Sequence, residues 1–520
     1  MTAIWKNPEF VRHVRANLRR TRALAVAATV IAICLLIWLG CWGSKQSELA
    51  ALRHAVKMEH FHWSPEKLAQ LEQDAPAEVW LTFYKFMMYA QLGVLTFWSL
   101  LSCAQSISGE RERRTWDFQR ATRLTPGEIL VGKLLGEPVL AYFIVLCCLP
   151  QTILAGLLGH AGWRSIAGGY LLILVGALFI GLTGLWLSNL FERRSRGVGL
   201  IGTFGLYLLF GLATPLSQDS YFPGLGAFSP LSGLLSRFRE EAFRSRPTVF
   251  GTHLSWLSMS LILYATFGAW LVVMLLRTIK KDYDQLHPLS RWETVGCAAF
   301  IIFMSYALFQ PRPWYRMDAI GFAKFMVGLN GLVLFALGLV LLTPRERLKV
   351  WHRQSHGMPS LLAEDGPAWP WVVISALVGY LLLVCGVFAW ENEIGFERQA
   401  LTIGLLLYVV VGLFVTRDIL FLQWCRLTRL RAPVLKGILY IGLYYVAIVV
   451  LGTVVNIFSE QRGRAVYAFM TPFAAFYIGS ASPDPRSSHV LLAQVVFGLA
   501  IQFAVVWTLL AGIRVRLNKQ

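Results

Sequence analysis

GERERRTWDFQRATRLTPGE, residues 109–128, is a charged segment set between two long apolar runs. Five arginines stand in it, at positions 111, 113, 114, 120 and 123. A charged segment between two membrane spans lies in water, and its excess of arginine predicts the cytoplasmic side, since positively charged loops are retained there. Such a segment can lie on lipid headgroups or dock onto a partner. It therefore indicates both the boundaries and the sidedness of the spans beside it.

The composition is typical of a membrane protein. The chain of 520 residues is 56% hydrophobic and 15% charged, with a mean hydropathy of +0.55, whereas soluble domains carry about 25% charged residues. Apolar runs of about 20 residues recur, and the alternation of a membrane barrel is absent. We therefore expect an all-α polytopic membrane protein. The net charge of +19 favours basic loops that face anionic lipid, so nucleic acid is not an expected partner.

Hydropathy predicts about twelve transmembrane helices as two six-helix halves. An N-terminal segment, residues 1–22, precedes a first half over 23–285 and a second half over 286–520. The outer loops 221–235 and 466–483 are apolar but broken by Gly and Pro, and each precedes the last span of its half. We expect re-entrant or interfacial elements there. The predicted spans are 23–42, 83–107, 134–157, 168–190, 198–216, 256–276, 294–309, 321–342, 370–390, 399–416, 434–457 and 488–513.

Basic residues set the orientation. Most of the 48 Lys and Arg residues fall in segments that are cytoplasmic if the N-terminus is inside, while the outer loops 43–80 and 391–398 are acidic. Both termini are therefore expected on the cytoplasmic side of a cell inner membrane. Only Lys85 and Lys324 are expected within spans, each near an outer end where a lysine can snorkel.

Residues 8–22 predict an amphipathic helix in the inner membrane interface. Phe10, Val11, Val14 and Leu18 share one helical face, and the arginines lie largely off it. A basic flank that only sets topology is the alternative. We do not expect a cleavable signal, because the stretch before the first apolar run is long and basic and no small-residue cleavage site follows it.

No motif of catalysis or energy conversion is visible in the sequence. Walker A, GxSxG, HExxH and CxxC patterns are absent. The eight cysteines lie in or beside apolar segments and are expected to pack as small apolar side chains. His60 and His62, with Glu59 and Glu66, are expected to be solvated in an outer loop. We therefore expect no enzyme activity and no metal or cofactor bound by this chain.

Glu137 is the one carboxylate expected near the inner end of a span, between Gly136 and Pro138. Two interpretations stay open. It pairs with Lys133 one turn earlier, or it is a polar point on a translocation path. A proton-coupled pump would normally carry several such residues.

The stretch GERERRTWDFQRATRLTPGEILVGKLLG, which begins at Gly109, resembles the signature of ABC-2 type transporter permeases. In that family a Glu/Arg-rich run and a Thr lead to a T-x-L-S/T-P-x-E-I/L-L/V-x-G-K stretch that opens the third span. The N-terminal NPEFVRHVRANLRR is similar to the family's leading interfacial helix. One departure is Arg114, where the family usually has Gly. The matching residues are Thr122, Leu124, Thr125, Pro126, Glu128, Ile129, Leu130, Gly132 and Lys133.

The resemblance implies six spans per half, a leading interfacial helix, a cytoplasmic coupling helix between spans two and three, and short re-entrant helices before span six. It also implies partners: cytoplasmic ABC ATPase subunits, two copies for a fused chain, which bind ATP and magnesium. Arginines can pair with acidic groups of such a partner, and Trp116 and Phe118 can anchor in its groove; a lipid-facing topogenic role is the alternative. The predicted coupling residues are Glu110, Arg111, Glu112, Arg113, Arg114, Thr115, Trp116, Phe118, Arg120, Arg123 and Pro126.

The second half contains two weaker echoes of this segment. One follows the second span of that half, as a 6+6 duplication requires, and consists of Arg345, Glu346, Arg347 and Trp351. The rival follows the fourth span and consists of Thr428, Arg429, Leu430, Pro433 and Lys436. We favour the first as a second coupling segment, because its position fits the duplication.

These observations favour the permease subunit of an ABC-2 type export system, a non-catalytic protein that forms the translocation path and is driven by a separate ATPase. One alternative is a twelve-span secondary transporter driven by an ion gradient, which should carry membrane-buried carboxylates. The other is a membrane-embedded enzyme, which needs a polar cluster near one interface. Spans rich in Trp, Phe, Leu and Gly favour a lipidic, peptidic or otherwise amphipathic cargo.

Overall fold

The computed structural model is built almost entirely of α-helices. It describes residues 6–57, 65–116, 119, 123–190, 223–238, 248–250, 252–280, 289–309, 317–354, 361–394, 398–428, 433–458, 466, 470–472, 476 and 485–518. The expected span 198–216, the cluster around His60 and His62, and most of segment 466–483 lie outside these residues. The chain folds as two compact units: unit 1 comprises residues 1–247 and 253–282, and unit 2 comprises residues 248–252 and 283–520.

Unit 1 has short helices at its start and before its last long helix. A 3-10 helix, Pro223–Phe228, and the helix Pro230–Phe238 lie in the expected re-entrant segment 221–235 and just after it. Two short strands, Thr248–Val249 and Thr252–His253, follow in sequence, and all of their residues except His253 belong to unit 2. The helices are α1 (Pro8–Asn17), α2 (Arg20–Lys57), α3 (Pro65–Glu112), α4 (Pro126–Gly136), α5 (Val139–Leu158), α6 (Trp163–Leu190), α7 (Pro230–Phe238) and α8 (Trp256–Lys280).

Two boundary predictions in unit 1 are wrong. The expected loop 43–80 is mostly helical, since α2 continues to Lys57 and α3 starts at Pro65. Ala, Leu, Glu, Gln and Lys dominate these stretches, and all five favour the helix even where hydropathy falls. The expected amphipathic helix 8–22 ends at Asn17, so that α1 is separate from the spanning helix α2.

Helix α3 is the centre of unit 1. It packs against α2, α5 and α6, and its side chains Tyr84 and Met88 are fully buried. The approach to α6 is closest at Gly184, where a Cβ atom would lie 2.8 Å from the carbonyl oxygen of Leu100. Small residues of this kind let two membrane helices touch along their backbones. The charged segment follows directly from the end of this central helix.

The helix Arg398–Arg426 is the centre of unit 2, and it packs against the helices Ala319–Val340, Trp369–Ala389, Pro433–Phe458 and Pro485–Asn518. Beside it lies a buried polar cluster, in which Asn330 Nδ2 donates to the hydroxyls of Tyr306 at 2.8 Å and Tyr408 at 2.7 Å. The helices are α9 (Arg291–Leu308), α10 (Ala319–Val340), α11 (Arg345–Gln354), α12 (Trp369–Ala389), α13 (Glu391–Ile394), α14 (Arg398–Arg426), α15 (Pro433–Phe458) and α16 (Pro485–Asn518).

Among the described residues, 10 helices are long and apolar enough to cross a membrane, which confirms the all-α polytopic class. They are α2, α3, α5, α6, α8, α10, α12, α14, α15 and α16. The expected span 294–309 coincides with α9, which is not among them. Its first turn carries Arg291 and Glu293, so its apolar stretch is shorter.

The expectation that only Lys85 and Lys324 lie within spans is wrong. Helix α14 is continuous beyond the predicted end of its span and includes Arg417 and Asp418, which hydropathy places in a loop. Both side chains are buried, and Arg417 Nη2 lies 2.6 Å from Asp418 Oδ1. Adjacent opposite charges neutralise each other, which lowers the cost of keeping both inside an apolar helix bundle.

Candidate functional site

The residues of the sequence motif build a junction of three helices in unit 1. We call it the N-terminal junction: helix α1 with its capping residue Asn7, the end of α3 with the turn after it (residues 106–116), and helix α4 with Glu137. Each segment contributes charged or capping side chains, and each is held by contacts with the other two. The pattern T-P-x-E and the pair G-K of the motif have separate structural roles within it.

The T-P-x-E part of the motif starts helix α4. Thr125 Oγ1 accepts a hydrogen bond from the Glu128 backbone N–H at 3.3 Å, and Glu128 Oε2 accepts one from the Thr125 N–H at 2.9 Å. This reciprocal capping box satisfies two N–H groups that a helix start leaves unbonded. Pro126 follows at the first helical position, where its missing N–H costs nothing.

Two glycines of α4 let helix α1 pack directly on its backbone. Gly132 and Gly136 are four residues apart and share one face. A Cβ atom on Gly132 would lie 2.6 Å from Glu9 Cβ, and one on Gly136 would lie 3.0 Å from the His13 ring. Asn7 caps α1 by accepting from the Glu9 N–H at 3.0 Å, and its Nδ2 donates to the Glu128 carbonyl at 2.7 Å. Side chains of α1 therefore pack directly against the backbone of α4.

Gly132→Val is expected to destabilise this packing by about 1–3 kcal/mol, because the new side chain would overlap Glu9. Gly127→Val in the same helix is the matched control, since a Cβ there meets nothing within 4 Å. Limited proteolysis of the purified chain measures this effect, because weaker packing of α1 on α4 should make cleavage before residue 20 faster. Equal protection of α1 in both variants would contradict the packing.

Lys133 is the charged centre of the N-terminal junction. Its side chain is buried, and its Nζ lies 2.6 Å from Glu110 Oε2, 3.6 Å from Glu9 Oε1 and 3.2 Å from Ser106 Oγ. The ammonium also lies 5.5 Å from the centroid of the Trp116 ring. A buried ammonium requires such partners, because an unpaired one would lose its hydration without compensation.

The expected pairing of Lys133 with Glu137 is corrected. The carboxylates that pair with Lys133 are Glu110 and Glu9, not Glu137. Glu137 Oε1 lies 3.8 Å from His13 Nε2 at the end of α4, with about a fifth of its side chain exposed. A place for Glu137 on a translocation path stays a prediction. Lys133 lies instead beside Glu9 of α1 and Glu110 of α3, because both segments pack around its side chain.

Glu9 is a buried carboxylate with three basic neighbours. Burial alone would raise its pKa, but the hydrogen bond with His13 and the charges of Lys133 and Arg12 outweigh burial and place the pKa below its usual value. A carboxyl whose folded pKa is lowered stabilises the fold above its unfolded pKa. That contribution is lost as the pH falls through the lowered value. At neutral pH the stabilisation that Glu9 contributes to the N-terminal junction is therefore fully present.

Glu110 and Arg111, expected to face a partner, are used within the chain. Glu110 Oε1 accepts from Arg12 Nη2 at 3.1 Å and from Gln119 Nε2 at 2.6 Å. Arg111 donates to Asn189 at the end of α6, through Nη1 to the carbonyl at 3.1 Å and through Nη2 to Oδ1 at 2.8 Å. Both residues therefore fasten the end of α3 to its neighbours.

Trp116 is also an internal residue, which corrects its expected role as an anchor in a partner's groove. Its side chain is only 5% exposed. It packs in an apolar cluster with Cys103, Ile107, Ile129 and Leu130. An aromatic ring already enclosed by its own chain has no free face to insert elsewhere. Phe118 and Arg120 lie outside the described residues.

What remains at the surface is a short basic turn. Glu112, the last residue of α3, and the three residues after it, Arg113, Arg114 and Thr115, are all exposed; we call these four residues the arginine turn. The Thr115 N–H donates to the Glu110 carbonyl at 2.9 Å, and the Arg114 N–H donates to the Arg111 carbonyl at 3.1 Å. This is the Schellman arrangement that ends a helix. Arg123, which follows residues 117–122 in the sequence, is also exposed.

Arg114 occupies the position of the Schellman arrangement that favours glycine. Its φ is 58°, in the left-handed region that non-glycine residues enter at a cost of about 1–2 kcal/mol. The position where the sequence departs from the family pattern is thus where the backbone prefers the family's Gly.

Arg114→Gly is therefore expected to raise stability by about 1 kcal/mol, since it removes a strained conformation without removing a buried contact. Arg114→Ala keeps the strain and is the control for loss of the side chain. Thermal unfolding of the two variants in the same detergent measures the difference. Equal midpoints would contradict the left-handed conformation.

The favoured echo in unit 2 forms the short helix α11, which follows α10 and precedes α12. Arg347 Nη1 lies 3.3 Å from Asp365 Oδ1, while the Glu346 side chain is 75% exposed. Trp351 packs against a cluster of buried apolar side chains in unit 2 that includes Leu348. Of the rival echo, Thr428 follows the end of α14, Pro433 starts α15, and residues 429–432 lie outside the described residues. The first echo thus forms a helix between α10 and α12.

Sequence reasoning missed the Arg417 and Asp418 cluster. Five donor contacts surround the Arg417 guanidinium, to Asp418 Oδ1 at 2.8 and 2.6 Å, the hydroxyls of Tyr444 and Tyr445 at 3.1 Å each, and Gln502 Oε1 at 2.9 Å. Tyr445 donates to Asp418 Oδ2 at 2.8 Å. The available signal was the Arg-Asp pair itself, together with two tyrosines and a glutamine in the spans that follow.

Comparisons with protein-family models, with curated proteins and with solved structures found no match to this chain. The resemblance to ABC-2 permeases therefore rests on the motif residues alone.

Proposed function

We propose that this chain is the membrane-spanning permease subunit of an ABC-2 type export system, driven by separate cytoplasmic ATPase subunits. The supporting observation is how the arginine turn is mounted. It projects exposed basic side chains, and it leads directly into the buried Lys133, Glu110 and Glu9 network that joins α1, α3 and α4. A force applied to the turn would therefore move three helices together, as coupling to an external motor requires.

The partner in this proposal supplies acidic groups, because the exposed side chains are Arg113, Arg114 and Arg123. ATP and magnesium bind on that partner, and this chain contributes the path. Both termini and the arginine turn lie on the cytoplasmic side of a cell inner membrane. Unit 2 offers α11 at the corresponding place in its helix order, with a different set of charges. The two copies of the ATPase would then meet unequal surfaces.

Affinity purification of the tagged full chain in mild detergent tests the proposal. We expect an ABC ATPase to co-purify at about two copies per chain, and ATP hydrolysis by the complex to depend on this chain. Transport by the chain reconstituted into vesicles is then measured with and without ATP. A chain that purifies alone and transports with an ion gradient in the absence of ATP would refute the proposal.

One observation favours a second candidate, a secondary transporter driven by an ion gradient. The sequence argument against that class was the near absence of charges in the spans, and the Arg417 and Asp418 pair weakens it. Asp418→Asn separates the candidates. It should abolish transport if Asp418 carries the coupling proton. ATP-driven transport should survive it in a variant that still elutes as a single folded species on gel filtration, because Asp418 is remote in sequence from the motif that forms the N-terminal junction. The folding check is needed since the variant leaves the buried Arg417 without its carboxylate.

A further inference from the structure

Helices α15 and α16 leave a cavity between them on the surface of α14. Each packs along α14, but they make few contacts with each other in the part of the chain that the structure describes. The cavity has a volume of about 370 Å³, within the range of small-molecule sites. Its apolar walls are formed by Phe421 of α14, Ile441 of α15, and Ile501, Val505 and Leu509 of α16.

The polar wall of the cavity is electrically neutral and already bonded. Arg417 and Asp418 form it with Tyr444 and Gln502. The Arg417 guanidinium makes five hydrogen bonds within the chain, which equals its number of N–H donors. A charged ligand would have to break this network and leave a buried charge unpaired, which is strongly unfavourable. The cavity therefore selects against ions and for an apolar group.

The cavity opens toward the surface that faces lipid. Tyr440, Met470 and Val505 line it and are also partly exposed, so they form its mouth. Outside the mouth, α15 and α16 expose large apolar side chains such as Leu443 and Phe503, which in a multi-pass membrane protein contact the bilayer. Arg417 lies about 13 Å along the axis of α14 from its end at Arg426, at the depth of the hydrocarbon.

We propose that this cavity binds one acyl chain of a membrane phospholipid, which enters sideways between α15 and α16. The occupant follows from the three observations together: an apolar lining, a neutral wall whose donors are used, and a mouth continuous with the lipid-facing surface. The inference rests on the multi-pass architecture. It does not depend on which energy source or partner drives the protein.

The experiment uses the full chain in nanodiscs that contain a phospholipid with a diazirine at the end of one acyl chain. After illumination, mass spectrometry locates the labelled peptides. We expect saturable labelling of Tyr440, Ile441 and the 501–509 segment, which excess unlabelled phospholipid suppresses. Val505→Trp should fill the mouth and lower this labelling about tenfold or more. Val496→Trp, an exposed position on the opposite face of α16, should leave it unchanged.

Three outcomes would overturn the proposal. Labelling that rises without saturation along the outer faces of α15 and α16 would show only annular lipid. Equal labelling of V505W and wild type would place the chain elsewhere. Saturable labelling by a diazirine fatty acid, with none by the phospholipid probe, would exclude a phospholipid. If V505W does not elute as a single species on gel filtration, competition in the wild-type chain decides, since saturation there needs no variant.

Discussion

Glu110→Ala is expected to destabilise the protein by about 3–5 kcal/mol, because it leaves a buried ammonium without its closest carboxylate. Glu110 Oε2 lies 2.6 Å from Lys133 Nζ, whose side chain is only 1% exposed. Without this carboxylate the ammonium would stay buried with Glu9 at 3.6 Å as its nearest acidic group. Two further donors, Arg12 and Gln119, would lose their acceptor as well.

A double variant separates this charge effect from simple loss of packing. Glu110→Ala with Lys133→Met removes both members of the pair, so no buried ammonium is left without its closest carboxylate. We therefore expect the double variant to recover most of the stability lost by Glu110→Ala. The control for position is Glu112→Ala, two residues further along α3, because Glu112 is exposed and its removal should change stability by less than about 0.5 kcal/mol.

The measurement is thermal unfolding in one detergent, supported by the amount of folded chain recovered from membranes. Equal melting of the Glu110→Ala and Glu112→Ala variants would contradict the buried pair. So would a double variant that is less stable than Glu110→Ala alone, because it would mean that Lys133 stabilises the fold without its carboxylate.

Much of the fold could be predicted from the sequence because hydropathy reports directly on the solvent that each segment meets. Helices α5, α10 and α12 lie where apolar runs placed them. Boundaries failed where helix propensity and hydropathy disagree, as in residues 43–57, which are polar and still helical. The predicted end of the span in α14 was wrong for another reason. A window average treats Arg417 and Asp418 as two unfavourable residues, whereas in the structure they cancel.

The sequence singled out the residues that form the N-terminal junction, but several of their contacts differ from the expected ones. The spacing of Thr125, Pro126 and Glu128 is a local signal, and it gave the helix start because capping involves only neighbours in sequence. The partners of Lys133 lie 23 residues away at Glu110 and at the start of the chain at Glu9. No local pattern predicts such pairs. Trp116 and Arg111 were misread because exposure depends on what packs over a residue.

Arg113→Glu with Arg114→Glu is expected to weaken association with the proposed ATPase by about a hundredfold or more, while leaving the chain inserted and folded. Reversing a charge at an interface replaces attraction by repulsion worth several kcal/mol. The fold should tolerate the change. Both side chains are exposed, and Glu at position 114 meets the same backbone strain as Arg.

Two control variants use the exposure of the arginines and the left-handed backbone at Arg114. Arg19→Glu with Arg20→Glu reverses another adjacent pair of exposed arginines in unit 1 and should leave association unchanged if the effect is specific to the arginine turn. Its orientation in the membrane is verified first, because these arginines flank the first span. Arg114→Gly supplies the sharper comparison, because it is expected to stabilise the chain and yet remove one contact with the partner. A gain in melting temperature together with weaker co-purification would show that the arginine is kept for binding at the expense of the fold. If co-purification is unchanged in both turn variants, the arginine turn is not the docking surface, and α11 in unit 2 becomes the next segment to reverse.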